Sequence, residues 1–112
     1  MAFQATLDMV NDVAKITLSG ELDASVAPEF RSRIEEAVAQ KAKRLALIAN
    51  DLEYMSSAGL RVLVFARQKM GANVDIYLVG AQDQILEPLR QSGLQRSLQI
   101  VETYDPSVIE KL

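Results

Sequence analysis

Apolar and polar side chains alternate along the first ten residues. An alternation with a period of two is typical of a strand with one buried face. The pair Asn11-Asp12 then has turn chemistry, and a second alternating run follows over residues 15–19. We predict that the chain begins with a β-hairpin. The apolar positions of the first run are Phe3, Ala5, Leu7 and Met9.

The apolar period changes to three or four residues beyond position 22. Between residues 27 and 38 the apolar residues recur at the spacing of one helix face, with charged residues largely on the other face. Either Asp23 or Ser25 is expected to cap this first helix. Pro28 then falls in the first turn, where a missing amide hydrogen costs little.

A short apolar run, LALIA over residues 45–49, predicts a central strand that is buried on both faces. A polar stretch follows, and a second helix is predicted from Ala58 to Met70, with Gly71 at its end. This helix therefore begins beyond the carboxyl end of a buried strand. Its apolar stripe is expected to contain Leu60, Leu63, Val64 and Arg67.

The last forty residues predict two more strands and two more helices. The strands are expected over residues 74–78 and 97–101. Pro88 predicts a late start or a kink in the helix between them, and Asp105-Pro106 is a strong start for a C-terminal helix. The resulting order is β-β-α-β-α-β-α-β-α. We predict a single α/β domain over residues 1–112, with a mixed β-sheet of about five strands covered by about four helices.

The composition limits the chemistry that such a domain can perform. Of the 112 residues 49% are hydrophobic, the net charge is -3, and the sequence contains neither cysteine nor histidine. Thiolate catalysis, sulfur-ligated metals and histidine-based catalysis are therefore excluded. The sequence also has no Walker loop, no G-x-G-x-x-G pattern and no G-x-S-x-G nucleophile elbow. We expect a protein that is not an enzyme and that needs neither a cofactor nor a metal.

Charge and hydropathy also bear on partners and location. The chain has 15 acidic and 12 basic side chains and no strong basic patch, which disfavours binding to the phosphate backbone of nucleic acid. The first residues lack the charged start and apolar run of a signal peptide, and no apolar run approaches the length that crosses a bilayer. We expect a cytoplasmic protein without a nucleic-acid or membrane partner.

The segment SSAGL, residues 56–60, places two adjacent hydroxyls at the predicted start of the second helix. A serine at this position commonly caps the helix, because the first amides of a helix lack intrahelical acceptors. The same amides favour a negative group, so a phosphate of about -1.5 to -2 charge on Ser57 would be accommodated there. Tyr54, Met55 and the adjoining helix face would form the docking surface that such a charge alters.

Two longer segments resemble a known family, the STAS domain. Residues 18–34, LSGELDASVAPEFRSRI, are similar to the family's second strand, G-E-L-D loop and first helix. Residues 45–63, LALIANDLEYMSSAGLRVL, are similar to its third strand, phosphoacceptor loop and second helix. The order and separation of the two segments make the resemblance fairly specific. Within the family, the chain resembles the small single-domain anti-sigma factor antagonists of bacteria.

The resemblance implies a partner-switching regulator. In that family the unphosphorylated antagonist binds an anti-sigma factor that is also a serine kinase with a histidine-kinase-like ATP-binding fold, and this binding frees a sigma factor. Phosphorylation by the kinase releases the antagonist, and a metal-dependent serine phosphatase restores it. The family's phosphoacceptor falls on Ser57, with Ser56 as the second choice. The partner-binding positions are expected at Asp23, Tyr54, Met55, Ser56, Gly59 and Arg61.

The chain departs from the family pattern beside the phosphoacceptor. Many members have an aspartate immediately before the phosphorylated serine, where this chain has Ser56, and Ala58 stands where serine or threonine is common. The spacing to Gly59, which is expected to permit a close approach at the start of the helix, favours Ser57 as the acceptor. The alternative function is that of a non-phosphorylated STAS subunit, a structural or allosteric component of a larger signalling or transport complex.

Overall fold

The computed structural model describes residues 2–111 and contains one five-stranded mixed sheet with the strand order β1-β2-β3-β4-β5. A short 3-10 helix, Leu94–Ser97, precedes the last strand. The element order confirms the one predicted from the sequence. The strands are β1 (Gln4–Val10), β2 (Val13–Leu22), β3 (Arg44–Met55), β4 (Asp75–Val79) and β5 (Gln99–Val101), and the helices are α1 (Ala27–Ala39), α2 (Ser57–Met70), α3 (Asp83–Ser92) and α4 (Pro106–Ile109).

The predicted hairpin is formed by β1 and β2, which pair antiparallel with Val10 opposite Val13. The two residues between them, Asn11 and Asp12, have φ values of 49° and 65°. Asparagine and aspartate tolerate this left-handed conformation, and a two-residue turn of this kind matches the twist of the two strands. The remaining strand pairs are all parallel and are connected through α1, α2 and α3.

The main core lies between one face of the sheet and helices α1, α2 and α3. Leu47 stands at its centre in β3, paired with Ile16 of β2 and Leu78 of β4, and all three are fully buried. A smaller cluster on the opposite face of the sheet packs under α4 through Ile109 and Tyr77. The predicted central strand is thus covered on both faces, although the two layers are unequal in thickness.

The cap predicted for the first helix is wrong. Helix α1 begins at Ala27, and its N-cap residue, Val26, forms no side-chain cap hydrogen bond. The Asp23 carboxylate instead accepts hydrogen bonds from the amide and hydroxyl of Ser25, at 3.0 and 2.6 Å. These bonds close a turn between β2 and α1, which is a local alternative to capping that aspartate and serine commonly adopt. Pro28 does lie in the first turn.

The stripe predicted for the second helix is also rotated from the observed one. The buried residues of α2 are Gly59, Val62, Leu63 and Ala66, whereas Val64 is 42% exposed. Two of the four, Gly59 and Ala66, are small residues that do not stand out in a pattern of large apolar side chains.

Arg67 of α2 forms hydrogen bonds that its predicted place on the apolar stripe did not suggest. Its guanidinium donates hydrogen bonds to the carbonyl oxygens of Gly71 and Val74, at 2.9 and 2.6 Å, and to that of Ser97. The helix does end at Gly71, as predicted, with a φ of 95°. Arg67 thereby ties the end of α2 to the segment before β5.

Pro88 does not delay the start of the third helix. Helix α3 begins at Asp83 and continues through Pro88 to Ser92. A proline removes the amide donor that the carbonyl of Gln84, four residues earlier, would otherwise receive. Gln84 is exposed, so water can satisfy this carbonyl and the helix tolerates the proline.

The last helix begins as predicted. The Asp105 carboxylate accepts a hydrogen bond from the amide of Ser107 at 3.0 Å, and Pro106 occupies the first helical position. The Tyr104 hydroxyl donates to Glu110 Oε2 at 2.7 Å, and burial together with this neighbour raises the pKa of Tyr104. The hydrogen bond from the neutral phenol thus holds the C-terminal segment against the smaller cluster.

Candidate functional site

The candidate site lies where β3 passes directly into α2. Strand β3 extends beyond residues 45–49 as far as Met55, which pairs with Leu22 at the end of β2. The amide of Ser56 then donates to the carbonyl oxygen of Leu22 at 2.8 Å. Since Asp23 follows Leu22 in the chain, the loop after β2 and the start of α2 share one edge of the sheet.

The two adjacent serines have different positions at this junction. Ser56 is the N-cap of α2, with φ -79° and ψ 173°, and its hydroxyl accepts a hydrogen bond from the amide of Gly59 at 3.4 Å. Ser57 is the first helical residue and is exposed. Within residues 2–111 the Ser57 hydroxyl forms no hydrogen bond. Ser56 therefore caps the helix, whereas Ser57 presents the accessible hydroxyl.

The first turn of α2 also leaves backbone donors available. Ser56 satisfies the amide of Gly59, and the amide of Leu60 donates to the carbonyl oxygen of Ser56 at 3.1 Å. In the part of the chain that the structure describes, no acceptor reaches the amides of Ser57 and Ala58. Unpaired amides at a helix start carry partial positive charge. The surroundings of the Ser57 hydroxyl therefore favour a negative group.

Gly59 is required by the close packing of this turn. A Cβ atom at this position would lie 2.7 Å from Cγ of Met55 and 2.9 Å from Cδ2 of Leu22. Both distances are shorter than a van der Waals contact, and both neighbours are buried. The close approach predicted for Gly59 is therefore confirmed: glycine lets α2 start directly against the ends of β2 and β3.

Replacement of Gly59 by alanine is expected to lower the free energy of unfolding by about 1 to 3 kcal/mol, because Met55 and Leu22 must move to admit the methyl group. Urea unfolding monitored by circular dichroism measures the change. Ser57→Ala is the matched control, since it alters the same turn at an exposed position and is expected to stay within about 0.5 kcal/mol of the wild type. An equal midpoint for Gly59→Ala and the wild type would contradict the packing argument.

The loop acid of the candidate site is Asp23. It is exposed, and its hydrogen bonds from the Ser25 side chain and backbone lower the pKa of its carboxyl group. The carboxylate is therefore ionised at neutral pH. It stands one residue after Leu22, at the edge where α2 begins.

The other positions predicted for partner binding differ in accessibility. Tyr54 is 49% exposed and Arg61 is exposed, whereas Met55 is only 6% exposed and Gly59 is buried. Met55 and Gly59 pack beneath the surface of the junction. Tyr54 and Arg61, together with Asp23 and Ser57, are the members of the predicted set that present side chains to solvent.

A groove between α1 and α2 reaches the first turn of α2 at Ala58 and was not predicted from the sequence. Its volume is about 480 Å³, and its lining includes Pro28 and Arg31 from α1 and Ala58, Arg61 and Phe65 from α2. The Arg31 guanidinium lies 4.1 Å from the centroid of the Phe65 ring. Neither Arg31 nor Phe65 belongs to a motif. Only the helical spacing of each is visible in the sequence, and their proximity depends on how the two helices pack.

Among residues 2–111 there is no group of three acidic, histidine or cysteine side chains arranged to hold a metal ion. Over the same residues, no helix has the length and apolar character required to span a bilayer.

The fold and the site together define a small α/β domain whose candidate site is an exposed serine at a helix start. The chain belongs to the STAS domain family, whose model matches residues 4–106.

Similar proteins include one sequence relative and two solved structures that share the fold. The anti-sigma-F factor antagonist RsfB of Mycobacterium tuberculosis is 27% identical over 93 residues, which are 83% of this chain and 76% of RsfB. An anti-sigma factor antagonist from Mycobacterium paratuberculosis superposes with a TM-score of 0.85 at 22% identity, covering 96% of this chain and 92% of the other. The phosphorylated form of SpoIIAA from Bacillus superposes with a TM-score of 0.73 at 21% identity and 98% coverage of both chains.

Proposed function

We propose that this protein is an anti-sigma factor antagonist that changes partners through phosphorylation of Ser57. In the unphosphorylated state it binds an anti-sigma factor that is also a serine kinase with a histidine-kinase-like ATP-binding fold. Transfer of a phosphoryl group to Ser57 releases it, and a metal-dependent serine phosphatase returns it to the binding state. The protein itself is a non-catalytic cytoplasmic regulator without a cofactor.

The observation that carries this proposal is the exposed Ser57 hydroxyl at the first position of α2, beside two amides without acceptors. A phosphoryl group brings about -1.5 to -2 charge, and the start of a helix is where such a charge is tolerated by the fold. The charge therefore acts on the complex more than on the stability of the free protein. A partner that packs against the junction must bury the charged phosphate or dissociate.

The names of the relatives support the same function. RsfB is an anti-sigma-F factor antagonist, and the superposed chain from Mycobacterium paratuberculosis is an anti-sigma factor antagonist. SpoIIAA of Bacillus has been solved in a phosphorylated form. A regulator that carries a phosphate and binds an anti-sigma factor is thus the function that the relatives of this fold suggest.

The capping geometry explains how Ser56 fits this function where many family members have an aspartate. Aspartate and serine are about equally good N-cap residues, so Ser56 keeps the helix start intact. The exchange removes one negative charge next to Ser57. A phosphoryl group on Ser57 therefore meets less repulsion from its neighbour than it would beside an aspartate.

The docking surface is proposed to consist of the exposed side chains around the junction. Asp23 and Tyr54 flank the start of α2 from the ends of β2 and β3, and Arg61 extends the surface along α2. Met55 and Gly59, which are buried, contribute by fixing the position of Ser57. A substitution at either residue is therefore expected to act through the geometry of the helix start.

The experiment is a binding measurement with purified partners. Each anti-sigma factor/serine kinase of the source organism is immobilised and tested against the wild type, Ser57→Ala and Ser57→Asp. The wild type and Ser57→Ala are expected to bind one of them with similar affinity, and Ser57→Asp at least about tenfold more weakly, because the introduced carboxylate is desolvated in the complex. Equal binding of all three by a larger signalling or transport complex would instead support the alternative of a non-switching subunit.

A further inference from the structure

Arg61 is the cation that follows Ser57 most closely along α2. The two residues are four positions apart, so they lie on the same face of the helix, and both are exposed. Helical side chains lean toward the N-terminus of their helix, which directs the Arg61 side chain over the first turn. In the described chain, neither the Arg61 guanidinium nor the Ser57 hydroxyl has a hydrogen-bond or ion-pair partner. The two groups are thus neighbours that remain unpaired.

The cations beside the Phe65 ring are placed differently. The Arg31 guanidinium lies 4.1 Å from the centroid of the Phe65 ring, and the Lys69 ammonium lies 5.8 Å from the same centroid. Both are thus positioned by an aromatic ring that lies two turns beyond Ser57. Arg61 shares the groove lining with Arg31 but has no such contact. It is therefore the guanidinium that remains available to the first turn of α2.

We infer that Arg61 is the internal counter-ion of a phosphoryl group on Ser57, and that pairing with it withdraws Arg61 from the α1–α2 groove. The inference rests on the proposed phosphorylation of Ser57 and adds the residue of this chain that pairs with the phosphate. A guanidinium binds phosphate oxygens through two parallel hydrogen bonds, and an acid four residues before a base is the favourable order on a helix. Phosphorylation then changes the surface in two places, at the junction and in the groove.

The charges at this end of the molecule determine the sign of the expected effect. Asp23 in the loop after β2 is acidic and opposes a second negative charge on the phosphate. Arg61 in α2 and the more distant Arg31 in α1 favour it. Removal of Arg61 therefore makes the phosphate harder to ionise and raises the second pKa of the phosphoserine, which is ordinarily about 6.

The test uses protein with phosphoserine installed at position 57 during translation, so it does not depend on a kinase. The second ionisation of the phosphate is followed by phosphorus NMR in the wild type, Arg61→Gln and Arg61→Lys. We expect the midpoint of Arg61→Gln to lie at least about 0.3 pH unit above that of the wild type, with Arg61→Lys between them. The difference is expected to shrink at about 1 M salt, where exposed charges are screened.

Arg96→Gln is the matched control, because it removes an exposed arginine from the 3-10 helix and not from the groove. It is expected to leave the midpoint at the wild-type value. Equal midpoints for the wild type and Arg61→Gln would overturn the inference, and so would an equal shift in Arg96→Gln. A kinase that fails to phosphorylate the wild-type protein would count against the proposed function alone, since the titration needs no kinase.

Discussion

Replacement of Leu47 by alanine is expected to lower the free energy of unfolding by about 2 to 5 kcal/mol, the range found for buried leucines. Leu47 has no exposed surface and lies in β3, the central strand, between Ile16 and Leu78 in the neighbouring strands. The paired strands hold the backbone in place, so the site can collapse little around the missing methyl groups. Equilibrium unfolding in urea measures the loss.

Val64→Ala is the control for the Leu47 measurement. It also shortens an aliphatic side chain to alanine, but Val64 is 42% exposed on α2 and outside the core. Its unfolding midpoint is expected to stay close to that of the wild type. A Leu47→Ala protein with an unchanged midpoint would contradict the place of this side chain at the centre of the main core.

Much of the fold followed from periodicity, because each strand and helix must bury one face. The alternation before and after Asn11-Asp12 predicted the hairpin, and the continuous apolar run at residues 45–49 predicted a strand covered on both faces. The polar continuation of β3 to Met55 had no such signal. Beyond Ile48 the strand loses β4 as a neighbour and pairs only with β2, so its side chains are partly solvated and mixed in character.

The helix faces were less predictable where small residues form the contact. Gly59 and Ala66 contribute to the buried stripe of α2, although neither has a large apolar side chain. Hydrophobic spacing therefore favoured Leu60 and Val64, and Val64 is exposed. The close approach of α2 to the ends of β2 and β3 decides the stripe, and this approach is a property of the tertiary structure.

The candidate site was predicted as a segment, and the structure shows which of its residues caps the helix. The sequence predicted two serines at a helix start and, through the family resemblance, Ser57 as the phosphoacceptor, but it left open which serine caps the helix. Only the backbone conformation of Ser56 and the hydrogen bond that its hydroxyl accepts from Gly59 show which serine is the cap. The α1–α2 groove, with Arg31 above Phe65, joins residues more than thirty positions apart and has no local signature.

Ser57→Ala is expected to abolish phosphoryl transfer from the cognate anti-sigma factor kinase, whereas the wild type takes up one phosphoryl group. The exposed hydroxyl at the first helical position is the proposed acceptor, and the neighbouring Ser56 hydroxyl is engaged at the amide of Gly59. Intact-protein mass after incubation with the kinase and ATP measures the uptake. Peptide mapping of the phosphorylated wild type then locates the phosphate.

Ser56→Ala is the matched variant that separates the two serines. It removes the cap, which is expected to cost about 1 kcal/mol of stability, but it leaves the Ser57 hydroxyl in place. We therefore expect full phosphate uptake by Ser56→Ala, at a slower rate because the helix start is less ordered. Uptake by Ser57→Ala equal to that of the wild type, with loss in Ser56→Ala, would move the acceptor to Ser56. The capping hydroxyl would then have to leave the amide of Gly59 before each transfer, so phosphorylation would be coupled to fraying of the first turn of α2.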